Sequence, residues 1–388
     1  MTRPKLPQVI VTRRGALRWE RGHPWIYASD VKREPDEASL VAVHESNGRF
    51  LGQALLSPRS QIRLRLLERS SRTIDQKWWE DRLTRAVARR AGIATTGYRV
   101  VHAEGDGLPA LVVDRYDRWV VAQLLSAGLE TMREAILAAV TRVLEPSGIL
   151  LRHDVPMRRT EGLAEGVELA AGSVPEEIEI EEHGVRYLAA PWTGQKTGAF
   201  LDQRANRVRA GALAVPGGAG LDCFGYHGSF ALHLARRCSR VMCIDSSAEA
   251  LQRGARNAAL NHLENIDWVT GDAFDLLRAW ERDRRQFDTI VVDPPAFAKS
   301  KSAVPGALRG YKEINLRAMR LLAPGGVLLS ASCSFHVSRS DFWAVIGAAA
   351  QDSGRVLTLV EQLGAGADHP EVVTVPETGY LKGVVVRS

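Results

Sequence analysis

The sequence predicts an α/β protein: a doubly wound, mostly parallel sheet in the carboxyl-terminal half, preceded by a β-barrel-like domain and a central α+β region. Three observations carry this. From about residue 191, strand-like apolar runs alternate with helix-periodic segments, the order that builds a parallel sheet. Residues 1–75 break instead into short apolar runs separated by Gly, Pro and charged turns, the spacing of a small β domain. At 388 residues the chain is also too long for one ordinary core, so two or three domains are expected. The expected boundaries are 1–75, 76–190 and 191–388.

In the first region Val9-Ile10-Val11, Leu40-Val41-Ala42-Val43, the run from Phe50 to Leu56 and the run from Ile62 to Leu67 read as strands. The segment from Lys77 to Arg90 places Trp78, Leu83 and Val87 near one face, which predicts a helix leaving the domain. The middle region offers strands from Ala110 to Asp114 and from Trp119 to Leu125. A helix follows from about Leu129 to Leu144, stopped ahead of Pro146. The acidic segment Glu176 to His183 is strand-like, and no reactive constellation falls in this region.

The third region is richer. A strand from Gly220 to Phe224 ends in the turn Gly225-Tyr226-His227-Gly228-Ser229, and a helix runs on to Arg237. Strand Arg240 to Asp245, helix Ala248 to Asn261 and strand Ile266 to Val269 follow, the last leading to Gly271-Asp272. Thr289-Ile290-Val291-Val292 leads into Asp293-Pro294-Pro295-Ala296-Phe297, and the run from Gly326 to Ser330 leads into Ser332-Cys333-Ser334-Phe335. Both segments fall at carboxyl ends of strands, where open α/β folds bind their ligands.

Composition narrows the class. With 45% hydrophobic and 25% charged residues the chain is ordinary for a soluble globule. No apolar run approaches the ~20 residues that span a bilayer, and the first residues lead into no signal-peptide core, so a cytoplasmic protein is expected. The cysteines, Cys223, Cys238, Cys243 and Cys333, form neither a disulfide framework nor a zinc-ligand spacing, so no metal is expected. Cys223 and Cys243 sit in apolar strand contexts as inert thiols, whereas Cys333 comes after a strand. Residues 1–80 hold 15 Lys and Arg against 9 Asp and Glu, while the remainder holds 36 of each sign. A basic appendage on a neutral body suits a module that tracks phosphates, and equally an Arg-rich surface with no partner.

The Gly-rich turn offers only Gly225 and Gly228 after the strand, short of the G-x-G-x-x-G that cradles a pyrophosphate. Asp245, ending the second strand, is placed to accept both hydroxyls of a ribose. Asp272, after the third, could accept from an adenine amino group, and Asp222 lies near the turn. Ribose and adenine recognition without a pyrophosphate site fits S-adenosylmethionine. The competing reading is that these aspartates cap the helices that follow.

The chain resembles, over nearly its whole length, PUA-domain-containing, S-adenosylmethionine-dependent RNA methyltransferases of the ribosomal RNA large subunit methyltransferase I type. The motifs that carry the resemblance are Gly22-His23-Pro24-Trp25-Ile26-Tyr27, Ser57-Pro58-Arg59-Ser60-Gln61-Ile62-Arg63 and Glu104-Gly105-Asp106-Gly107-Leu108-Pro109. They continue with Gln195-Lys196-Thr197-Gly198-Ala199-Phe200-Leu201-Asp202-Gln203-Arg204, Arg309-Gly310-Tyr311-Lys312-Glu313-Ile314-Asn315, Ala367-Asp368-His369-Pro370 and Tyr380-Leu381-Lys382-Gly383. The resemblance implies an RNA-binding PUA β-barrel, a class I (Rossmann-like) methyltransferase domain, and methyl transfer to C5 of a cytosine in 23S ribosomal RNA. A related branch methylates guanine and is not expected to carry Ser-Cys-Ser, so Cys333 separates the two.

Cys333 is then the candidate nucleophile for C6, since a thiolate adduct makes C5 enamine-like, and Asp293 the residue that steadies the base. Asp222, Phe224, Gly225, Gly228, Asp245, Asp272, Asp293, Phe200, Gln203 and Arg204 are candidate cofactor residues. Pro294, Pro295, Phe297, Lys299, Arg309, Lys312 and His336 are candidates for contact with RNA. No second cysteine follows Asp293-Pro294-Pro295, which leaves the base that removes the C5 proton unnamed. Competing readings are a non-covalent RNA guanine or other base methyltransferase, and a catalytically silent RNA-binding ribosome assembly factor. The partner would be 23S ribosomal RNA or a large-subunit assembly intermediate, and the edges of the β-rich first domain leave a homodimer open.

Overall fold

In the computed structural model, which describes residues 6–388, the chain parts into two compact units. The first runs to Ile180 and includes Ala189–Leu201 and Ala367–Thr378; the second comprises Glu181–Leu188, Asp202–Gly366 and Gly379–Ser388.

The first unit opens with β1 (Gln8–Val11), α1 (Arg13–Glu20), β2 (Trp25–Tyr27), β3 (Val31–Arg33), β4 (Ser39–Glu45), β5 (Phe50–Leu56) and β6 (Ile62–Glu68). The strands form one six-stranded sheet in the order β2-β6-β5-β4-β1-β3, with β1 parallel to β4 and the other pairs antiparallel. Its edge strands β2 and β3 are separated in sequence only by the 3-10 turn Ala28–Asp30, so the sheet must curl until its edges meet. Val9, Val11, Ile26, Val41, Val43, Leu56 and Leu64 fill the inside, with Trp19 of α1 among them. Helix α1 was not expected from the sequence. Its arginines and Gly15 mask a single apolar stripe, and it is fixed by Thr12, whose side chain accepts from Gly15 N.

A second sheet follows. Its strands are β7 (Gly97–His102), β8 (Leu111–Tyr116), β9 (Trp119–Leu124), β10 (Gly148–Arg152) and β11 (Val167–Gly172), in the order β11-β10-β9-β8-β7. Around it lie α2 (Gln76–Ala88), α3 (Ala127–Glu130), α4 (Arg133–Leu144) and α5 (Pro156–Thr160). The helix expected from Leu129 to Leu144 is two helices. Thr131 Oγ1 bonds back to Gly128 O at 2.7 Å and α3 ends there. Trp78, Trp79 and Leu83 of α2 pack with Ile136 and Val140 of α4 and with Leu55 and Leu67 of the first sheet, so both sheets of this unit share a core. Residues 367–378 belong here as well: Asp368 accepts from Arg99 N at 3.0 Å, and its carbonyl from Arg90 at 2.8 Å.

A two-stranded hairpin, β12 (Ile178–Glu182) and β13 (Val185–Ala189), precedes the last sheet. That sheet is built from β14 (Ala219–Cys223), β15 (Arg240–Asp245), β16 (Ile266–Thr270), β17 (Phe287–Val292), β18 (Leu322–Ser332), β19 (Thr358–Leu363) and β20 (Lys382–Arg387). The order is β16-β15-β14-β17-β18-β20-β19. The first five run parallel, and β20 is antiparallel to both its neighbours. The helices are α6 (Arg204–Leu213), α7 (Ser229–Ala235), α8 (Ala248–Leu260), α9 (Ala273–Arg282), α10 (Val304–Leu321) and α11 (Arg339–Ser353). Leu277, Trp280, Ile314, Ala318, Phe342 and Ile346, from α9, α10 and α11, gather in one core. Ala210, Phe230, Leu234 and Leu251, from α6, α7 and α8, gather in another, so the sheet is covered on both faces. The chain winds outward from β14 to β16, then returns to β17 on the other side of β14. The switch point between β14 and β17 is where such sheets hold ligands. Among the described residues no helix is long and apolar enough to cross a membrane, and no cluster of His, Cys, Asp or Glu could hold a metal ion.

Candidate active site

The turn after β14 is strained and locked. Phe224, Tyr226 and Gly228 have φ of 63°, 51° and 77°, a region that costs a non-glycine residue on the order of 1 kcal/mol. Backbone bonds hold it: Gly225 N to Ile244 O at 2.9 Å, and Gly228 N to Gly225 O at 2.7 Å. Tyr226 N also donates to Asp245 Oδ2 at 2.9 Å. A Cβ on Gly225 would stand 2.2 Å from Cys243 Sγ, and one on Gly228 2.4 Å from the Trp268 ring. Both glycines are therefore needed for packing of the turn itself.

Asp222 lies under this turn, fully buried. Its Oδ2 accepts from Ala231 N at 2.9 Å, while Oδ1 is buried without a hydrogen-bond partner. Burial pushes the carboxyl up to about 8. The Ala231 amide opposes the rise, and the neighbouring Asp293 and Asp245 carboxylates reinforce it. A cation brought beside such a carboxyl favours its charged form. S-adenosylmethionine, with an ammonium and a sulfonium, supplies that charge, so the donor set fits this cofactor.

Asp245 and Asp272 also serve the backbone. Asp245 accepts from Ser247 N at 2.8 Å besides Tyr226 N. Asp272 caps α9, its Oδ1 accepting from Phe274 N and Asp275 N at 2.8 and 3.2 Å. A carboxylate has about four acceptor sites, so capping and binding a ribose or an amino group are compatible in one side chain. Gln203 Nε2 donates to Asp293 Oδ1 at 2.8 Å, tying the start of α6 to the loop after β17, and Arg204 is buried beside it at the start of α6. Phe200 falls in the first unit, where Lys196 Nζ stands 4.7 Å from its ring centre.

The loops after β17 and β18 are neighbours because their strands pair in parallel, Val292 opposite Ser330. Half-buried Asp293 and Cys333 leave these strand ends, and the other cysteines, Cys223, Cys238 and Cys243, are buried. Ser334 joins the two loops. Its Oγ accepts from Ala298 N at 3.2 Å and lies 2.8 Å from Tyr311 Oη of α10. Its carbonyl accepts from Lys382 Nζ at 2.7 Å. Burial raises the Tyr311 hydroxyl above its ordinary range, so it stays neutral and available as a hydrogen-bonding group. Ser334, Tyr311 and Lys382 were not singled out from the sequence. Tyr311 and Lys382 stand inside recognisable motifs, but only folding shows that they meet at Ser334.

Pro294 is buried and Pro295 exposed. Phe297 packs on Tyr311, ring centres 4.7 Å apart, and on Phe274 at 6.1 Å. With Phe274, Ser302, Pro305 and Arg309 it lines a cleft of ≈ 640 Å³. Lys299 and Arg309 are exposed, whereas Lys312 pairs with Asp352 at 2.7 Å. His336 is half-buried, edge-on to the exposed Phe335 ring at 5.3 Å.

Residues 9–69 match the PUA-like domain family, and residues 118–387 match the S-adenosylmethionine-dependent methyltransferase family. The Aeromonas salmonicida protein named ribosomal RNA large subunit methyltransferase I is 40% identical over 95% of this chain and 96% of its own length. A Klebsiella pneumoniae protein of the same name is 39% identical over the full length of both chains. Among solved structures, one described as an S-adenosylmethionine-dependent methyltransferase from Streptococcus mutans superposes with a TM-score of 0.84 at 21% identity. It covers 98% of this chain and 100% of its own. A methyltransferase complexed with SAH matches with the same score, identity and coverage. At that identity the likeness speaks for the fold.

Proposed function

The chain belongs to the ribosomal RNA large subunit methyltransferase I family of S-adenosylmethionine-dependent methyltransferases, and from that premise we propose that it methylates C5 of a cytosine in 23S ribosomal RNA through a covalent adduct with Cys333. The observation that carries this reading is the joining, through Ser334, of the loop that bears Asp293 to the loop that bears the half-exposed thiol.

C5 of cytosine is a poor nucleophile. Addition of the Cys333 thiolate to C6 places electron density on C5. S-adenosylmethionine supplies the electrophilic methyl group that C5 takes up; Asp222, Asp245 and Asp272 are the residues that would hold it. Loss of the C5 proton then reforms the ring double bond and expels Cys333 as thiolate. Asp293, oriented by the Gln203 amide, would bond the N3/N4 edge of the base and steady the charge that builds up in the adduct. The exposed Lys299 and Arg309 would meet phosphates. The target base must leave its stack to reach Cys333, so single-stranded or loosely folded RNA, free or in an assembling subunit, is the expected substrate.

The test is transfer of labelled methyl from S-adenosylmethionine to unmethylated large-subunit RNA by wild type and Cys333→Ala, followed by nucleoside analysis. 5-Methylcytidine from the wild type alone is expected. Another methylated base, or equal activity in both proteins, would reject the covalent reading and favour a non-covalent base methyltransferase.

A further inference from the structure

We propose that Lys382 holds Cys333 ready as a thiolate: its buried ammonium fixes the loop that carries the thiol and supplies the positive charge beside it. The role rests on the covalent reading of Cys333 and deepens it.

The geometry is particular. Lys382 opens β20 and stands opposite Ser332 in the antiparallel register, next to the residue that precedes Cys333. Its side chain is buried, with only 4% of the residue exposed. Nζ donates to the carbonyl of Ser334, the residue after Cys333, at 2.7 Å and to Tyr380 O at 3.0 Å. The thiol is thus bracketed, its loop paired to Lys382 on one side and bonded by Lys382 on the other. Among the described residues no carboxylate lies within ion-pair distance of Nζ. A buried ammonium satisfied only by carbonyls is an expensive device for holding a loop, since a neutral donor would suffice. An anion that forms in the catalytic state explains it, and Cys333 can supply one.

The surrounding charges agree. Burial pushes Lys382 down to about 8, and among the charges acting on it the largest is that of Cys333, which opposes the fall. Arg339 of α11 adds to the fall and Asp341 opposes it. The charge of Cys333 acts on Tyr311 as well. Lys382 is cationic below about pH 8 and loses its charge above it. The alkaline limb of the pH profile is expected from Lys382.

The experiment reads the thiol directly. Alkylation of Cys333 by iodoacetamide is followed against pH by peptide mass spectrometry in wild type, Lys382→Met and Lys382→Arg, alongside methyl transfer. In Lys382→Met the alkylation midpoint should rise by about one unit or more, and methyl transfer at neutral pH should fall at least ~10-fold. Lys382→Arg keeps the charge without a proton to lose, so its midpoint should stay low and its activity should persist above pH 8, where wild type declines. If Lys382→Met fails to fold, Lys382→Gln, which retains a donor for a carbonyl, carries the same comparison. An unmoved midpoint in a variant that still binds S-adenosylhomocysteine would overturn the proposal and leave Lys382 a structural donor. The alkylation readout involves no RNA, so it judges Lys382 independently. A fully active Cys333→Ala would reject the covalent reading on its own.

Discussion

Asp222 shows how far one side chain can be read. Its carboxyl is raised to about 8 by burial, so the folded chain keeps a proton that an unfolded aspartate, with a pKa near 3.9, gives up. A folded pKa above the unfolded one gives stability that is complete below pH ~4 and lost as pH rises through about 8. Melting of the cofactor-free protein should therefore weaken across that window, and Asp222→Asn should flatten the slope. A cation bound there favours the ionised form, so S-adenosylhomocysteine should release a proton on binding below pH 8. Calorimetry in buffers of different ionisation enthalpy measures that release; its absence would remove Asp222 from the cofactor site. Asp222, Asp293 and Cys333 were singled out because each lies near the end of a recognisable strand or just past it. Lys382 stood out only within the Tyr380-Leu381-Lys382-Gly383 motif, because its register opposite Ser332 and its bond to Ser334 O, which bring it to the Cys333 loop, exist only in the fold.

Among the elements, the parallel strands of the second unit and its helices α7 and α8 follow from periodicity, whereas α6, α9, α10 and α11 were not expected from the sequence. Helix α8, for example, was expected from Ala248 to Asn261 and runs Ala248–Leu260. What periodicity missed was decided by polar chemistry, as with the Thr131 bond that ends α3 and the Thr12 cap that starts α1. The same chemistry anchors α6. Arg207 Nε donates to Glu182 Oε1 of β12 at 2.8 Å, and His233 Nε2 of α7 lies 3.0 Å from the same oxygen. Although burial opposes ionisation, Arg207 and His233 hold Glu182 down at about 2. Arg207→Ala would strand this carboxylate in the interior, at a cost of about 3–5 kcal/mol, to be read from the shift in urea midpoint. A loss below ~1 kcal/mol would mean that His233 alone compensates the charge.

Across the molecule, charge is the most uneven property. Residues 1–80 carry all of the net positive charge, and Lys32 and Arg33 of β3 are both exposed. If this sheet tracks RNA phosphates, replacing that pair by alanine should lower the slope of log binding constant against log salt by about 1.4 for single-stranded RNA. Little change in base preference is expected, since phosphate contacts position rather than specify. A slope that does not move would place the RNA contacts elsewhere. The insertion of β20 between β18 and β19 has a further consequence, one of timing. The sheet of the second unit cannot close until β20 has been made, because the strand that fills its gap follows in sequence the two it separates. Until Lys382 emerges, the Cys333 loop lacks its ammonium and Ser332 its partner strand. On the mechanism proposed above, a nascent chain with the turn from Gly225 to Gly228, α7 and Asp293 in place would not be armed to attack RNA, and reactivity would be withheld until β20 is delivered.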